Sequence, residues 1–370
     1  MNRERERQAA QLAFAAGGAE IEVGSTEGSG LSVKALSEID GSEQFVVQAF
    51  DAGLTARVLR LRVGNRDWTL KRARAQSLVQ TVDGQSSFLN EVQRRRDFAS
   101  LKGPPGGARR FAAIVDTQYA SYRRGILLSP WIEGETVSIW DERRLRQFFD
   151  QLVELLLAGF FEWDFCPGNI LDDGDQVRLF DFGYMYRFDP LTEFNSSGLD
   201  APLFHGAERL ETRNYFAWLM ELEKTAGEGF ALAAFRLEKQ IALGAYEHLI
   251  SELEKHAATA TVVGNLRSIV TRWRKALGGD LAALYLAEGW RSHRLELGSD
   301  LHGQTCTPTS LAHADWMLCA LTERFADLQA LDAFFWDDLG RSQEALKARV
   351  RADRELAVGW QSTSQRRDTP

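Results

Sequence analysis

The sequence predicts an α+β chain in which a small β-rich part precedes a larger, mostly helical one. Three observations carry this. Short runs of alternating polar and apolar residues gather between residues 45 and 130, and from Glu208 onward apolar residues recur at helical spacing. Between the two lies the segment 163–183, WDFCPGNILDDGDQVRLFDFG, in which two short apolar runs flank a polar turn. The chain has 370 residues, 44% of them hydrophobic, which is enough to bury a large core and excludes general disorder.

The elements follow in order. Residues 1–20, MNRERERQAAQLAFAAGGAE, carry charges of both signs and a short Ala-rich run, which reads as an amphipathic helix or frayed arm without a secretory core. An apolar run at 45–50 precedes FDAGLTA (50–56), and RVLRLRV (57–63) alternates as a strand. Gly64-Asn65 can turn, and DWTLKRAR (67–74) begins a second alternating run that contains Lys71. SSFLNEVQRRRDF (86–98) has a helical pattern that includes Glu91, with Ser86 or Ser87 as the candidate N-cap. GILLSPWIEGE (125–135) is an apolar strand ending in Pro and an acidic turn. DERRLRQFFDQLVELLL (141–157) is apolar at helical spacing, with Asp141 as its N-cap. In the segment 163–183, Ile170-Leu171 and residues 177–180 read as strands joined by the turn 172–175. Residues 184–204 are broken by Pro190, Asn195, Gly198 and Pro202. Helices are expected over 208–225, 228–256, 262–277, 280–288, 310–332 and 342–356, with a loop at 298–309.

The central segment carries the chemistry. Asp164 is followed five residues on by Asn169, and Asp181 opens a DFG triplet twelve residues beyond. A hairpin between them would hold all three at one cleft edge. Phosphoryl transfer needs one carboxylate to orient the attacking hydroxyl, and an Asn with a second carboxylate to hold the metal on the phosphates.

These residues resemble the protein-kinase-like superfamily. PGNIL after Asp164 is most similar to the aminoglycoside phosphotransferase, choline kinase and fructosamine kinase branch, whose loop reads H-x-D-x-x-P-x-N. Asp164, Pro167 and Asn169 match that pattern, and Glu162 stands where the loop-supporting His is expected. The resemblance implies a bilobal fold, with a small β-rich N-lobe and a large, mostly helical C-lobe. Residues 1–40 would form an N-terminal arm or helix, 41–130 the N-lobe, 131–360 the C-lobe with catalytic loop and DFG, and 361–370 a disordered tail.

It also implies ATP and Mg²⁺ as cofactors and a role for each residue. Lys71 would grip the α- and β-phosphates, oriented by Glu91. Asn169 and Asp181 would hold the metal, and Asp164 would act on the acceptor hydroxyl. Adenine would lie near 129–132, bonded mainly by main chain at Ser129, Trp131 and Ile132. The phosphate-covering loop would be FDAGLTA, whose single glycine is Gly53 and whose Thr55 could offer a hydroxyl. A degenerate loop of this kind fits the small-molecule branch, as do the absence of an A-P-E triplet and the helical C-terminus.

Three functions follow from this pattern. One is a kinase acting on a hydroxyl of a small molecule, one a protein Ser/Thr kinase, and one an ATP-binding pseudokinase scaffold or a nucleotidyl transferase. A net charge of −8 argues against nucleic acid as an obligatory partner. No run of eighteen apolar residues is present, so no membrane span is expected. Cys166, Cys306 and Cys319 are too few and scattered for a disulfide framework, which suits a cytoplasmic setting. The six histidines show no metal-ligand spacing. Aromatics between Tyr215 and Trp336 read mainly as helix-helix core.

Overall fold

A computed structural model describes residues 3–50 and 53–367. Its elements are α1 (Arg3–Ala16), β1 (Glu22–Gly24), α2 (Val33–Glu38), β2 (Val46–Phe50), β3 (Ala56–Val63), β4 (Arg66–Ala73), α3 (Val82–Lys102), α4 (Gly107–Arg110), β5 (Tyr119–Ser121) and β6 (Ile126–Pro130). There follow β7 (Glu135–Thr136), α5 (Glu142–Leu157), β8 (Phe160–Glu162), β9 (Ile170–Asp172), β10 (Val177–Leu179) and β11 (Met185–Arg187). The remainder is helical: α6 (Gly206–Leu210), α7 (Phe216–Ala226), α8 (Glu228–Lys255), α9 (Ala260–Leu277), α10 (Leu281–Gly303), α11 (Pro308–Glu323), α12 (Phe325–Ala330) and α13 (Gln343–Arg367). A small sheet followed by a mostly helical part is the α+β class expected.

The chain divides into two compact units. The first holds residues up to Val137, Asp150–Asp164 and Gly168–Ala201. Its antiparallel sheet runs β1-β5-β6-β4-β3-β2. Side chains alternate across the pleat, so the two faces of β6 bury different cores. Ile126 and Leu128 join Leu59, Leu61, Trp68 and Leu70 on one face. Leu127 turns to the other face, where Phe88, Leu89 and Val92 of α3 pack against it. Lys71 is opposite Leu127 in register, so it shares the face that α3 covers.

Two expectations for this unit are corrected. Helix α3 is capped not by Ser86 or Ser87 but by Thr81, whose side chain accepts the Gly84 N–H at 3.0 Å. The short strand β1 lies within the expected arm and adds an edge to the sheet. Residues 51 and 52, in the expected phosphate loop, lie outside the described residues. The loop around them is tied down by Leu54 and Thr55, whose carbonyls accept the Leu78 and Arg74 N–H groups.

The second unit holds Ser138–Phe149, Phe165–Pro167 and the residues from Pro202 onward. Trp290 and Leu297 of α10, Met317 and Leu321 of α11, and Leu346 and Val350 of α13 form one core. Helix α10 continues through Gly298 to Gly303, beyond its expected end at 288, and stops at Gln304 in the left-handed region with φ 57°. The helix expected over 310–332 breaks at Arg324 into α11 and α12. The helix expected over 208–225 contains a five-residue π turn, Glu211–Tyr215, between α6 and α7. Helix α13 runs to Arg367, where a disordered tail was expected, and residues 368–370 of that tail lie outside the described residues. Of the aromatics assigned to helix core, Tyr215, Phe216, Trp273, Tyr285 and Trp290 are buried. Trp218, Trp316, Phe334 and Phe335 are half-buried, and Trp336 is 58% exposed.

Candidate active site

Sheet and helix first bring Lys71 and Glu91 together. Lys71 leaves β4 on the side that α3 covers, and Glu91 lies on the helix surface turned toward it. The Lys71 Nζ donates to Glu91 Oε2 at 2.5 Å and also lies 2.8 Å from Asp181 Oδ1. Glu91 is buried and takes a second cation, Arg95 Nη2, on its other oxygen at 3.1 Å. Burial opposes the charge on Lys71, but Asp181 and Glu91 outweigh it and raise its pKa, so the ammonium persists at neutral pH.

Asp181 follows β10, which pairs in register with β9 through the turn at Gly174. Its backbone is in the left-handed region at φ 62°, a conformation costly for a residue with a Cβ and held only where the surroundings impose it. Burial opposes ionisation of its carboxyl, but the Lys71 ammonium outweighs that and holds the pKa below the ordinary carboxylate value. About a third of its side chain, 36%, remains accessible. The next residue, Phe182, is buried against Phe98 with ring centroids 5.3 Å apart and lies under the Arg95 guanidinium.

Asp164 begins the loop after β8. Its backbone N–H donates to Glu162 Oε1 at 2.8 Å, and its carbonyl accepts Asn169 Nδ2 at 3.0 Å. Thus Glu162 supports the loop at the place where a His was expected. Burial, reinforced by the neighbouring Asp164 and Asp181 carboxylates, pushes the Glu162 pKa well above its ordinary value and keeps the group neutral. Loop residue Phe165, in the second unit, is held there by Asn214 of the π turn, whose Nδ2 donates to its carbonyl at 3.3 Å. Asn214 accepts in turn from Trp140 Nε1 at 3.1 Å. Neither Asn90, described below, nor Asn214 was singled out from the sequence, because bonds to distant main chain leave no spacing pattern.

The oxygens of Asp181 and Asn169 fit a hard divalent cation that takes its remaining ligands from phosphates and water. Among the described residues no group of three or more His, Cys, Asp or Glu side chains is arranged to hold a metal unaided.

The remaining expected residues are dispersed along the sheet. Ser129 is buried in β6 opposite Thr69. Trp131 donates its N–H to the Asp67 carbonyl at 3.0 Å, so that main-chain donor is already engaged. Its ring stacks on Phe50 with centroids 6.0 Å apart and carries the Arg60 guanidinium on its face. Ile132 follows in irregular chain. Gly53 sits where an added Cβ would meet the Ala56 carbonyl at 2.3 Å, so the turn requires glycine. Its own carbonyl accepts Arg74 Nε at 2.9 Å.

No family model and no curated protein matches the chain. Among solved structures, 55% of the chain is similar to 47% of the crystal structure of WbdD, with 18% identity and a TM-score of 0.34. A second structure, the bifunctional kinase-methyltransferase WbdD, is similar over 52% of this chain and 44% of its own, with 19% identity and a TM-score of 0.31. The chain therefore spans about half the length of the solved chains it matches.

Proposed function

We propose that the protein is an ATP- and Mg²⁺-dependent phosphotransferase that moves the γ-phosphate to a hydroxyl of a small molecule. The observation that carries this reading is the Lys71 ammonium held between Glu91 and Asp181, residues from three separate elements, beside the Asp164–Asn169 loop. A buried cation kept charged by two carboxylates is suited to holding phosphate oxygens.

In this reading Glu91 fixes the Lys71 rotamer and Lys71 holds the α- and β-phosphates. Asn169 and Asp181 hold Mg²⁺, which when bound neutralises charge on the phosphates. Asp164, its peptide anchored by Glu162 and Asn169, accepts a hydrogen bond from the acceptor hydroxyl. The acceptor oxygen bonds to the γ-phosphorus as the bond from phosphorus to the β-bridging oxygen breaks. The hydroxyl proton passes to Asp164 and ADP leaves. With the Trp131 N–H engaged and Pro130 lacking one, the main-chain donor offered to adenine in this reading is the Ile132 N–H.

A small-molecule acceptor accords with the single-glycine phosphate loop and the helical chain after residue 206. Among the described residues no helix is long and apolar enough to cross a membrane.

The test is incubation with Mg²⁺ and γ- or α-labelled ATP, following label in small molecules of a cell extract, in protein and in free phosphate. Label from γ-ATP in a small molecule is the expected result. Label in protein would mean a protein kinase, label from α-ATP nucleotide transfer, and ATP binding without transfer a scaffold.

A further inference from the structure

Beside Glu91 on α3, Asn90 is 1% exposed and uses its whole hydrogen-bonding capacity. Its Nδ2 donates to the carbonyls of Phe182, Gly183 and Met185 at 3.1, 3.0 and 2.8 Å. Its Oδ1 accepts from Arg94 Nη1 at 3.2 Å and from Gln11 Nε2 of α1 at 3.4 Å. An amide is the neutral side chain that presents both donors and an acceptor from one planar group.

Helix and DFG loop touch at the same turn. A Cβ added to Gly183 would lie 3.1 Å from the Ser87 Cβ. The contacts close a circuit: Asp181 meets Lys71, Lys71 meets Glu91, and Glu91 adjoins Asn90, which holds the two residues after Asp181. On its far side the junction of α1, α3 and the chain after Gly183 borders an open cleft of about 720 Å³, lined by Arg7, Gln11, Asn90, Arg94, Tyr186 and Arg187 among others.

We infer that Asn90 is a positioning residue for the phosphotransfer site. By clamping the Phe182, Gly183 and Met185 carbonyls to α3, it fixes where the Asp181 carboxylate stands relative to Lys71. The inference rests on the function proposed above. Asn90 touches no substrate and acts through Asp181, so its loss should spare nucleotide affinity without metal and remove the part that Mg²⁺ adds.

The test compares the ATP dissociation constant in EDTA and in Mg²⁺ for wild type, Asn90→Leu and Asn90→Asp, with near-ultraviolet circular dichroism to verify folding. Asp keeps the shape of Asn but turns an acceptor toward three carbonyls. In both variants the Mg²⁺-dependent gain should fall by about tenfold, as loss of a buried donor to several acceptors implies, while affinity in EDTA stays unchanged. Ser87→Val leaves the Asn90 side chain in place and wedges Gly183 away from α3. It should lower the same gain, and it decides the matter if the Asn90 variants do not fold. Folded variants with the wild-type Mg²⁺ gain would overturn the inference, as would an equal loss in EDTA and in Mg²⁺, which marks a structural role alone. A wild type with no Mg²⁺ gain would instead overturn the phosphotransfer reading, and the role of Asn90 with it.

Discussion

The Oε1 of Glu162 lies 2.8 Å from the Asp164 backbone nitrogen and accepts its N–H, while burial keeps the Glu162 carboxyl neutral. A neutral acid suffices here, because what Glu162 provides to the loop is an acceptor for one peptide N–H. Glu162→Gln, neutral and able to accept the same bond, should retain activity within about threefold, whereas Glu162→Ala should lose about 1–3 kcal/mol of stability and most turnover. Steady-state rates and thermal melts of the two variants check this.

The same carboxyl sets a pH dependence. A folded-state pKa above the unfolded value contributes stability that is complete below the ordinary Glu value and is lost as pH rises through the elevated one. The melting temperature of the wild type should therefore fall as pH rises above the ordinary Glu value, and Glu162→Gln should lack part of that fall.

Asp181 and Lys71 should fail differently. Asp181→Ala removes the partly accessible carboxylate and leaves the Lys71–Glu91 pair intact, so metal-dependent turnover should vanish with little change in melting. Lys71→Met leaves Glu91 buried with Arg95 alone and should destabilise the fold by about 3–5 kcal/mol. Equal melting of the two variants would contradict this ordering.

In the second unit, Lys239 is fully buried among Glu211, Glu238 and Glu288, 2.6 Å from Glu288 and 3.3 Å from Glu238. Trp273 donates to Glu288 at 3.0 Å. At Glu238 burial outweighs the neighbouring Lys239 cation and pushes the group up to about 8. Stability from its neutral form is lost as pH rises through about 8, and Glu238→Gln should remove that alkaline loss. Lys239→Met, which leaves several carboxylates without their cation, should cost about 3–5 kcal/mol in chemical denaturation.

His293 and His313 meet Nδ1 to Nδ1 at 2.7 Å inside the same unit, an arrangement that requires one ring to donate and the other to accept. Burial, helped by His313, holds His293 well below its ordinary value of 6.5, and burial brings His313 to about 4. With depressed folded-state values, stability is complete above the unfolded pKa and declines as pH falls from 6.5 toward about 4. Replacing both with Phe should flatten that acid limb of the melting curve.

Much of the first unit was legible because its signals are local. Alternation placed β3 and β4, and the spacing of Asp164, Asn169 and Asp181 is realised as loop, hairpin and turn. Strands β1 and β5 are three residues each, too short for any period to register. Thr81 was missed as a cap because Val82 and Gly84 after it are weak helix formers. Glycines at 298 and 303 looked like a loop, yet packing of Leu295 and Leu297 keeps α10 going past the first of them. Lys239, Glu211 and Arg291 carry no motif or spacing that marks them in the sequence, since only tertiary structure reveals that they bury one another.

The π turn at Glu211–Tyr215 has a consequence for chain length. It accommodates one residue more than an α-helical turn, and with that residue Asn214 reaches the Phe165 carbonyl while Glu211 meets Lys239 and Arg291. Deleting a residue here would let α6 and α7 fuse into one regular helix and would take away the extra residue that carries Asn214 and Glu211 to their partners. The number of residues in this turn, and not their identities alone, thus decides which side chains reach the catalytic loop and the buried carboxylates.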